Sequence, residues 1–346
     1  MNPPPDAPVH TDNQTYRWTV HVCTRARVLV SACAAVRTCT PRAVTPAGAP
    51  SGREDSLRAL AAPSGRRRGG QWSGVEWVRI AVANNKGGAG KTTVIAYLAE
   101  ALAARGRRVL AIDMDPQANL SRRLGYGEAE LVDMVTTAEV VAANQKGCAA
   151  DGIVGCRWSL RAHPGLVEHI DVLPARYDLE ARVSEAGTLG AHERLERSLE
   201  GVGEDYDVVF LDCPPSLGHL TQLGLAAADT VLLVLRPEYD HLQGAIRVRD
   251  FIDTYRRHLG RPHLGIAGVV INEHDRRRGL HHWHTDSATD AFGALLWSPP
   301  VPSRAALAEA IDAAAPLRAR GAGARPLIEV FAALADHLEA HAHAAA

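Results

Sequence analysis

A short apolar run leads directly into a glycine-rich loop, and no other feature of this sequence constrains the fold as strongly. The apolar run spans Val78–Ala83, and the loop reads Lys86-Gly87-Gly88-Ala89-Gly90-Lys91-Thr92-Thr93. Residues 91–105 then predict a helix whose apolar face consists of Val94, Leu98, Ala101 and Leu102, and Gly106 is typical of a helix end. A strand, a glycine loop and a helix in this order predict a turn that wraps around a phosphate group.

The loop supplies the groups that a nucleoside triphosphate requires. A helix N-terminus offers free backbone N–H groups and the positive end of the helix dipole, and glycines let the backbone approach the phosphates. Lys91 is placed to reach the β- and γ-phosphates, and the Thr92 hydroxyl is placed to bind Mg²⁺. The usual pattern has glycine at position 85, where this chain has Asn85 followed by Lys86. The loop therefore carries a second lysine.

Apolar runs alternate with helix-length segments from Trp77 onward. Further strands are predicted at residues 109–113, 170–173, 208–212, 230–235 and 266–271, with a less regular one at 294–297. Their nearly continuous Val, Ile and Leu content is typical of strands covered on both faces. We therefore predict an α/β fold of the P-loop NTPase type, a mostly parallel twisted sheet of about 7–8 strands with helices on both faces. Leu327, Phe331, Leu334 and Leu338 form the apolar stripe of a final helix.

Carboxylates follow two of the predicted strands, at the edge of a parallel sheet where ligands bind. Asp113 and Asp115 end the second strand, and Asp212 ends the strand at 208–212. Phosphoryl transfer needs a hydrated metal ion and an oriented water molecule, and carboxylates can hold both. An aspartate before Pro116 could instead cap a turn, so both interpretations of Asp115 stay open at this point.

The loop and both acidic segments together resemble the ParA/MinD family of partitioning and positioning ATPases. The loop is similar to the family's deviant Walker A sequence, residues 113–119 to its D-x-D-P-Q-x-N segment, and Asp212-Cys213-Pro214-Pro215 to its Walker B strand and switch region. The resemblance covers about residue 77 to about residue 335. It implies ATP hydrolysis, with Mg²⁺ bound by Thr92 and Asp212 and water oriented by Asp115. It also implies that Lys86 contacts phosphates across a nucleotide-sandwich homodimer.

Two further segments resemble the family's surroundings of the nucleotide base. Leu235-Arg236-Pro237-Glu238-Tyr239, with the later Gly244, is similar to the family segment that closes beside the base. Asn272 falls where the family often has an adenine-contacting side chain. We therefore expect Pro237 and Asn272 to contact the nucleotide together with residues 86–93. An amide can serve both the donor and the acceptor on the adenine edge, and no guanine-specific N-K-x-D motif is apparent, so ATP is favoured over GTP.

Arginines that could contact DNA lie in local clusters. The chain has 38 basic and 39 acidic residues, and its formal net charge of -1 supplies no general attraction to a polyanion. The family segment P-R-N-V-R-L-S-E-A corresponds to residues 302–310, which keep one of its two arginines, Arg304. Since DNA-binding members use basic residues on the dimer surface, we expect nonspecific DNA contacts from Arg256, Arg257 and Arg304. The alternative for each cluster is a solvated face.

Composition sets the domain boundaries. Residues 1–76 are rich in Pro, Ala, Arg, Thr and Ser without a regular apolar period, which predicts a disordered extension. A DNA-binding arm at Arg66-Arg67-Arg68 and a targeting segment are the alternatives. Residues 77–338 are predicted to form the ATPase domain and residues 339–346 an Ala/His tail. Six cysteines without a CxxC pair, and no apolar run near the roughly 18–20 residues of a membrane span, predict a cytoplasmic protein without a membrane partner.

Three functions stay open on the sequence. The preferred one is a ParA-like ATPase in chromosome or plasmid partitioning, whose ATP-bound dimer binds DNA until a ParB-like partner stimulates hydrolysis. The second is an ATPase that positions a protein cargo without DNA. The third is a metabolic ligase or kinase on the same scaffold, because a fold does not fix a function.

Overall fold

The structure is a computed structural model that describes residues 78–159 and 164–345. The extension predicted for residues 1–76, with Arg66-Arg67-Arg68, lies outside the described residues. The strands are β1 (Val78–Ala83), β2 (Val109–Asp113), β3 (Val154–Gly155), β4 (Ile170–Leu173), β5 (Val208–Asp212), β6 (Thr230–Leu235) and β7 (Gly265–Ile271). The α-helices are α1 (Lys91–Ala103), α2 (Asn119–Arg123), α3 (Glu128–Leu131), α4 (Thr137–Ala143), α5 (Pro164–Val167), α6 (Arg194–Leu199), α7 (His219–Ala227), α8 (Tyr239–Tyr255), α9 (Gly279–Phe292), α10 (Ala305–Asp312) and α11 (Arg325–Ala345).

Within the described ranges the strands form a seven-stranded sheet in the order β3-β4-β2-β5-β1-β6-β7. Strand β1 lies between β5 and β6 and is parallel to both. The short β3 runs antiparallel to β4, and the remaining neighbours are parallel. Parallel neighbours need crossover connections, which the helices provide. The predicted, mostly parallel α/β fold is therefore confirmed.

Apolar side chains cover both faces of this sheet. On one face, Ile80 and Phe210 belong to the same buried cluster as residues of α1 and α11. On the other face, Leu110 and Val209 belong to a cluster with residues of α7 and α8. Each fully buried aliphatic or aromatic side chain stabilises the fold by about 1.5–3 kcal/mol relative to exposure. The carboxyl edge of the sheet is thus held between two packed layers.

Helix α1 is buried on nearly all sides, so the prediction of a single apolar face was too narrow. Every residue of α1 except Thr92 is buried, because α11 packs along the side away from the sheet. The helix ends at Ala103, two residues before the predicted end. Gly106 then adopts φ 78°, and the N–H of Arg107 donates to the carbonyl of Leu102 at 3.1 Å, which satisfies a helix-end carbonyl.

Residues 294–297, predicted as a further strand, do not form one. Gly293–Leu295 is a 3₁₀ turn, and the next residue makes only an isolated bridge to Val269. The segment is apolar for another reason: Trp297 packs so closely on Gly268 that a Cβ there would lie 2.1 Å from the indole ring. The two prolines that follow the segment lack the N–H groups that a longer strand would need.

Residues 339–345, predicted as a tail, continue helix α11. Glu339 accepts hydrogen bonds from Arg105 at 2.7 Å and from Arg107 at 3.2 Å, and Ala342 is buried. Alanine favours helix, and these ion pairs fasten the helix to the end of α1. Among the helices that the structure describes, none is long and apolar enough to cross a membrane.

Candidate nucleotide-binding site

The glycine loop joins β1 to α1 at the carboxyl edge of the sheet. Gly88 and Gly90 have φ angles of 78° and 91°, a left-handed region that other residues rarely adopt. A Cβ at Gly90 would also lie 1.9 Å from Nδ2 of Asn272, so the space admits only glycine. Gly90 is the N-cap of α1, and its carbonyl accepts the N–H of Val94 at 2.9 Å. The N–H groups of the first turn have no partners within the helix and are available to an anion.

Asn84 fastens the start of the loop to helix α8. Its Nδ2 donates to the carbonyls of Val234 at 2.8 Å and His241 at 2.9 Å. Gly244 permits this packing, because a Cβ there would lie 2.2 Å from Oδ1 of Asn84. The N–H of Asn85 donates to the Gly244 carbonyl at 3.4 Å. The residue that departs from the usual glycine pattern therefore belongs to the contact between the loop and α8.

Lys91, Thr92 and Asp212 meet beneath the loop. Lys91 is 7% exposed, and its Nζ donates to the carbonyl of Asn84 at 3.4 Å. The Thr92 hydroxyl donates to Oδ2 of Asp212 at 2.6 Å. Burial lowers the pKa of the Lys91 ammonium, and the negative charge of Asp212 opposes this shift. The structure thus brings together the predicted phosphate-binding lysine and the two predicted metal-binding residues.

The Thr92–Asp212 pair fits a hydrated Mg²⁺ ion. Asp212 is 1% exposed, and its Oδ1 has no hydrogen-bond partner among the described residues. A buried carboxylate oxygen without a partner is costly unless a ligand satisfies it. Mg²⁺ takes oxygen ligands and keeps several waters, so this hydroxyl and this carboxylate would hold it beside the loop.

Asp113, the last residue of β2, holds the segment that follows this strand. It pairs in register with Asp212 on the neighbouring strand and is fully buried. Its Oδ2 accepts the N–H of Ser121 at 2.8 Å and the Ser121 hydroxyl at 2.7 Å, while its Oδ1 accepts the N–H of Asp115 at 3.1 Å. Burial raises the pKa of the Asp113 carboxyl, and the nearby Asp212 raises it further. Asp113 therefore positions the segment that carries Asp115.

Asp115 occupies the turn that follows β2. Its Oδ1 accepts the N–H of Gln117 at 3.0 Å, and its carbonyl accepts the N–H of Ala118 at 2.9 Å. The N–H of Met114 donates to the carbonyl of Asp212 at 3.1 Å, so Asp115 follows β2 beside the strand end that carries the predicted metal ligand. The turn contact and a water-orienting role are compatible.

Lys86 lies on the outside of the loop, with its ammonium directed at helix α8. Its Nζ forms an ion pair with Oδ2 of Asp240 at 2.9 Å, and the two side chains are 46% and 65% exposed. Exposed ion pairs contribute only about 0–1 kcal/mol. Another anion can therefore replace Asp240 at little cost.

Pro237 and Asn272, the two residues predicted at the base, take different positions. Pro237 borders a cavity of about 220 Å³, together with Arg236 and Glu273. Asn272 is fully buried, and its Nδ2 donates to the carbonyl of Ala89 at 3.3 Å. Its Oδ1 finds no partner in the part of the chain that the structure describes. Asn272 thus supports the phosphate loop through its Nδ2, and its Oδ1 is available to accept a hydrogen bond from a ligand.

The three arginines predicted to contact DNA do not lie together. Arg304 lines a cavity of about 530 Å³ with Arg276 and Arg277, just beyond the carboxyl end of β7. Arg256 and Arg257 follow helix α8, which starts at the carboxyl edge and runs back toward the start of β7. They therefore lie at the opposite edge of the sheet.

Parallel strands, a strand–glycine loop–helix unit and a Lys–Thr–Asp cluster at the carboxyl edge define a P-loop nucleoside triphosphatase. The AAA domain family model (AAA_31) matches residues 78–266. The sporulation initiation inhibitor protein Soj of Bacillus subtilis is 32% identical over 276 residues, which cover 76% of this chain and 98% of Soj. The chain belongs to the ParA/MinD family of P-loop ATPases.

A second relative agrees with this family, and a solved structure shares the fold. The chromosome partitioning protein ParA of Caulobacter vibrioides is 37% identical over 239 residues, which cover 67% of this chain and 82% of that protein. The crystal structure of cobyrinic acid a,c-diamide synthase from Mycobacterium smegmatis with bound ADP and magnesium superposes with a TM-score of 0.62 at 29% identity. It covers 77% of this chain and 95% of the synthase.

Sequence reasoning missed several residues that shape the site, namely Asn84, Ser121, Arg123 and Asp240. Ser121 had no signal in the sequence, because its bond to Asp113 spans eight positions and depends on how α2 packs against β2. Asp240 had none either, because its contact with Lys86 joins residues 154 positions apart. The packing of α8 against the loop alone creates that contact.

Proposed function

We propose that two copies of this chain sandwich two Mg-ATP molecules and that the resulting dimer binds DNA nonspecifically during chromosome or plasmid partitioning. A ParB-like partner protein stimulates hydrolysis. One observation carries this proposal: Lys86 is an exposed lysine on the rim of the phosphate loop, held only by a weak ion pair to Asp240. Such a lysine is available to phosphates of a second subunit.

The residues of the site divide the chemistry among them. Lys91 and the N–H groups of the loop bind the β- and γ-phosphates, and Thr92 and Asp212 hold Mg²⁺. Asp115 orients the attacking water. Lys86 of each subunit adds positive charge at the other subunit's phosphates, which stabilises the charge that develops on the transferred group. Hydrolysis removes the γ-phosphate. The dimer then loses the attraction between that phosphate and Lys86 of the other subunit, and it dissociates.

The names of two relatives support partitioning as the setting, since both are chromosome partitioning proteins, one from Caulobacter vibrioides and one from Myxococcus xanthus. DNA binding is supported by the arginines around the 530 Å³ cavity. A cargo-positioning ATPase would share the nucleotide site and lack DNA affinity. A shift of bulk DNA that requires ATP separates these two functions.

The substitution Lys86→Ala tests the sandwich directly. We expect the variant to stay monomeric with Mg²⁺ and a slowly hydrolysed ATP analogue, whereas the unmodified chain dimerises, as measured by light scattering after gel filtration. Nucleotide affinity of the monomer should change by no more than about fivefold, because an exposed ion pair is worth only about 0–1 kcal/mol. Lys146→Ala is the matched control, since Lys146 is also an exposed lysine in an ion pair, with Glu200 at 2.8 Å. A Lys86→Ala variant that still dimerises with the analogue would refute the sandwich.

A further inference from the structure

We propose that Arg123 is a nucleotide-binding residue that contacts the α-phosphate of the nucleotide bound in its own subunit. Arg123 is the last residue of α2, and its Nη1 donates to Oγ1 of Thr93 in the first turn of α1. Thr93 directly follows Thr92, which bonds the metal-binding Asp212. The guanidinium therefore reaches the phosphate loop from the acidic segment that also carries Asp115.

A hydrogen bond from Trp158 fixes the backbone of Arg123. The indole Nε1 of Trp158 donates to the Arg123 carbonyl at 2.5 Å, and the Trp158 ring stacks on Tyr97 of α1 with centroids 6.3 Å apart. Trp158 and Tyr97 are both buried. The main chain of Arg123 is thus held in place, and its side chain extends toward Thr93.

The charge of Arg123 is not neutralised within the described part of the chain, where it makes no ion pair and its buried Nε has no hydrogen-bond partner. Among the arginines that the structure describes, Arg320 shares these two features, whereas most other partly buried ones have carboxylate partners, as Arg194 has in Glu185 and Arg261 in Glu196. A mostly buried guanidinium without a counterion is unfavourable until an anion arrives. The planar fork of N–H groups suits phosphate oxygens in particular.

The surroundings of Arg123 indicate which phosphate it meets. In a phosphate loop the backbone N–H groups surround the α- and β-phosphates, while the lysine reaches the β- and γ-phosphates and the hydroxyl that follows it binds the metal. Arg123 bonds Thr93, the residue after Lys91 and Thr92, so its guanidinium lies beside the loop beyond the two residues that serve the β- and γ-phosphates and the metal. The α-phosphate is the phosphate that these two residues do not serve. The negative charge of Asp212 favours the charged guanidinium, although burial lowers its pKa.

Binding constants of ADP and ATP, measured by titration calorimetry, test this assignment. We expect Arg123→Ala to weaken both nucleotides by the same factor of roughly 10 to 100, because a charge-assisted hydrogen bond is lost and both ligands have an α-phosphate. Arg123→Lys should recover part of the affinity by restoring the charge. Arg122→Ala is the matched control. Arg122 is exposed, and among the described residues its side chain bonds only Asn119, at 3.5 Å, so affinity should stay within about twofold.

Three results would overturn the assignment. Unchanged affinity in Arg123→Ala would remove Arg123 from the site. A loss confined to ATP would place Arg123 at the γ-phosphate. An equal loss in Arg123→Ala and Arg123→Lys, with a lower melting temperature of both nucleotide-free variants, would make it a structural residue. ADP binding is measured on the monomer, so these results do not depend on the proposed dimer or on DNA binding.

Discussion

At the scale of single residues, two buried asparagines prepare the phosphate loop before any nucleotide binds. Asn84 and Asn272 each donate to carbonyls of neighbouring segments, and each has an Oδ1 without a partner among the residues that the structure describes. A buried acceptor without a partner costs about 1–3 kcal/mol. The fold tolerates this cost because both amides hold the loop against β6, α8 and β7. The loop is thereby fixed in the conformation that phosphates require.

Gly90 and Gly87 offer a matched test of that fixed conformation. Gly90→Ala should lower the free energy of unfolding by at least about 1–2 kcal/mol, because alanine is strained at φ 91° and its Cβ would overlap Asn272. Nucleotide binding should fail as well. Gly87→Ala introduces a Cβ with no atom within 4 Å and should change stability by less than about 0.5 kcal/mol. Urea denaturation without nucleotide measures both, and equal losses would contradict the role of Asn272.

At the scale of elements, helix α8 determines how the outer lysine is presented. Its first turn carries Asp240, which holds Lys86, and its second turn carries Gly244, which contacts Asn84. One helix therefore touches both the buried start of the loop and its exposed rim. A displacement of α8 would change both together.

Gly244→Ala tests this coupling because two effects oppose each other. Alanine in a helix interior should stabilise by about 0.5–1 kcal/mol. Its Cβ would lie 2.2 Å from Oδ1 of Asn84. Either α8 shifts and weakens the bond from Asn84 to His241, or the Asn84 amide shifts and weakens its bonds to both His241 and Val234, each worth about 0.5–1.5 kcal/mol. We expect the steric overlap with Asn84 to outweigh the gain in helix propensity, so that the variant has a lower melting temperature and binds nucleotide more weakly. Gly279→Ala, at the start of α9 with open space around its Cβ, should be neutral or slightly stabilising.

The six longer strands could be predicted from sequence because each is a compact apolar run followed by a polar residue or a turn. Two segments differ from the strand predictions. Strand β3 has only two residues, Val154–Gly155, which is too short for any pattern to register. Residues 294–297 looked like a strand because Trp297 must be apolar to pack on Gly268. The phosphate loop and both acidic strand ends were visible as motifs, whereas the partners of Lys86 and Arg123 depend on packing between distant segments.

At the scale of the whole molecule, the candidate functional groups are concentrated at one edge of the sheet. The phosphate loop, the exposed Lys86 and the cavity lined by Arg276, Arg277 and Arg304 all lie at or beyond the carboxyl edge. Arg277 is paired with Asp275 at 3.0 Å, while Arg276 and Arg304 make no ion pair within the described ranges. A dimer that forms at this edge would place the unpaired arginines of both subunits on one side. The net charge of -1 makes such a local concentration necessary for DNA binding.

This arrangement predicts that DNA affinity depends on one edge only. With ATP, six to ten phosphate contacts would make affinity fall about 10³- to 10⁵-fold between 50 and 200 mM salt, and each contact removed lowers the slope by about 0.9. We expect Arg276→Ala with Arg304→Ala to weaken binding and reduce the slope by up to about 3 to 4, since a dimer loses four arginines. Arg256→Ala with Arg257→Ala, at the opposite edge, is the control and should leave the slope unchanged. Fluorescence anisotropy of labelled DNA over a salt series measures this. A flat response of the unmodified chain would contradict DNA binding and favour a protein cargo, because phosphate contacts release counterions and must weaken as salt rises.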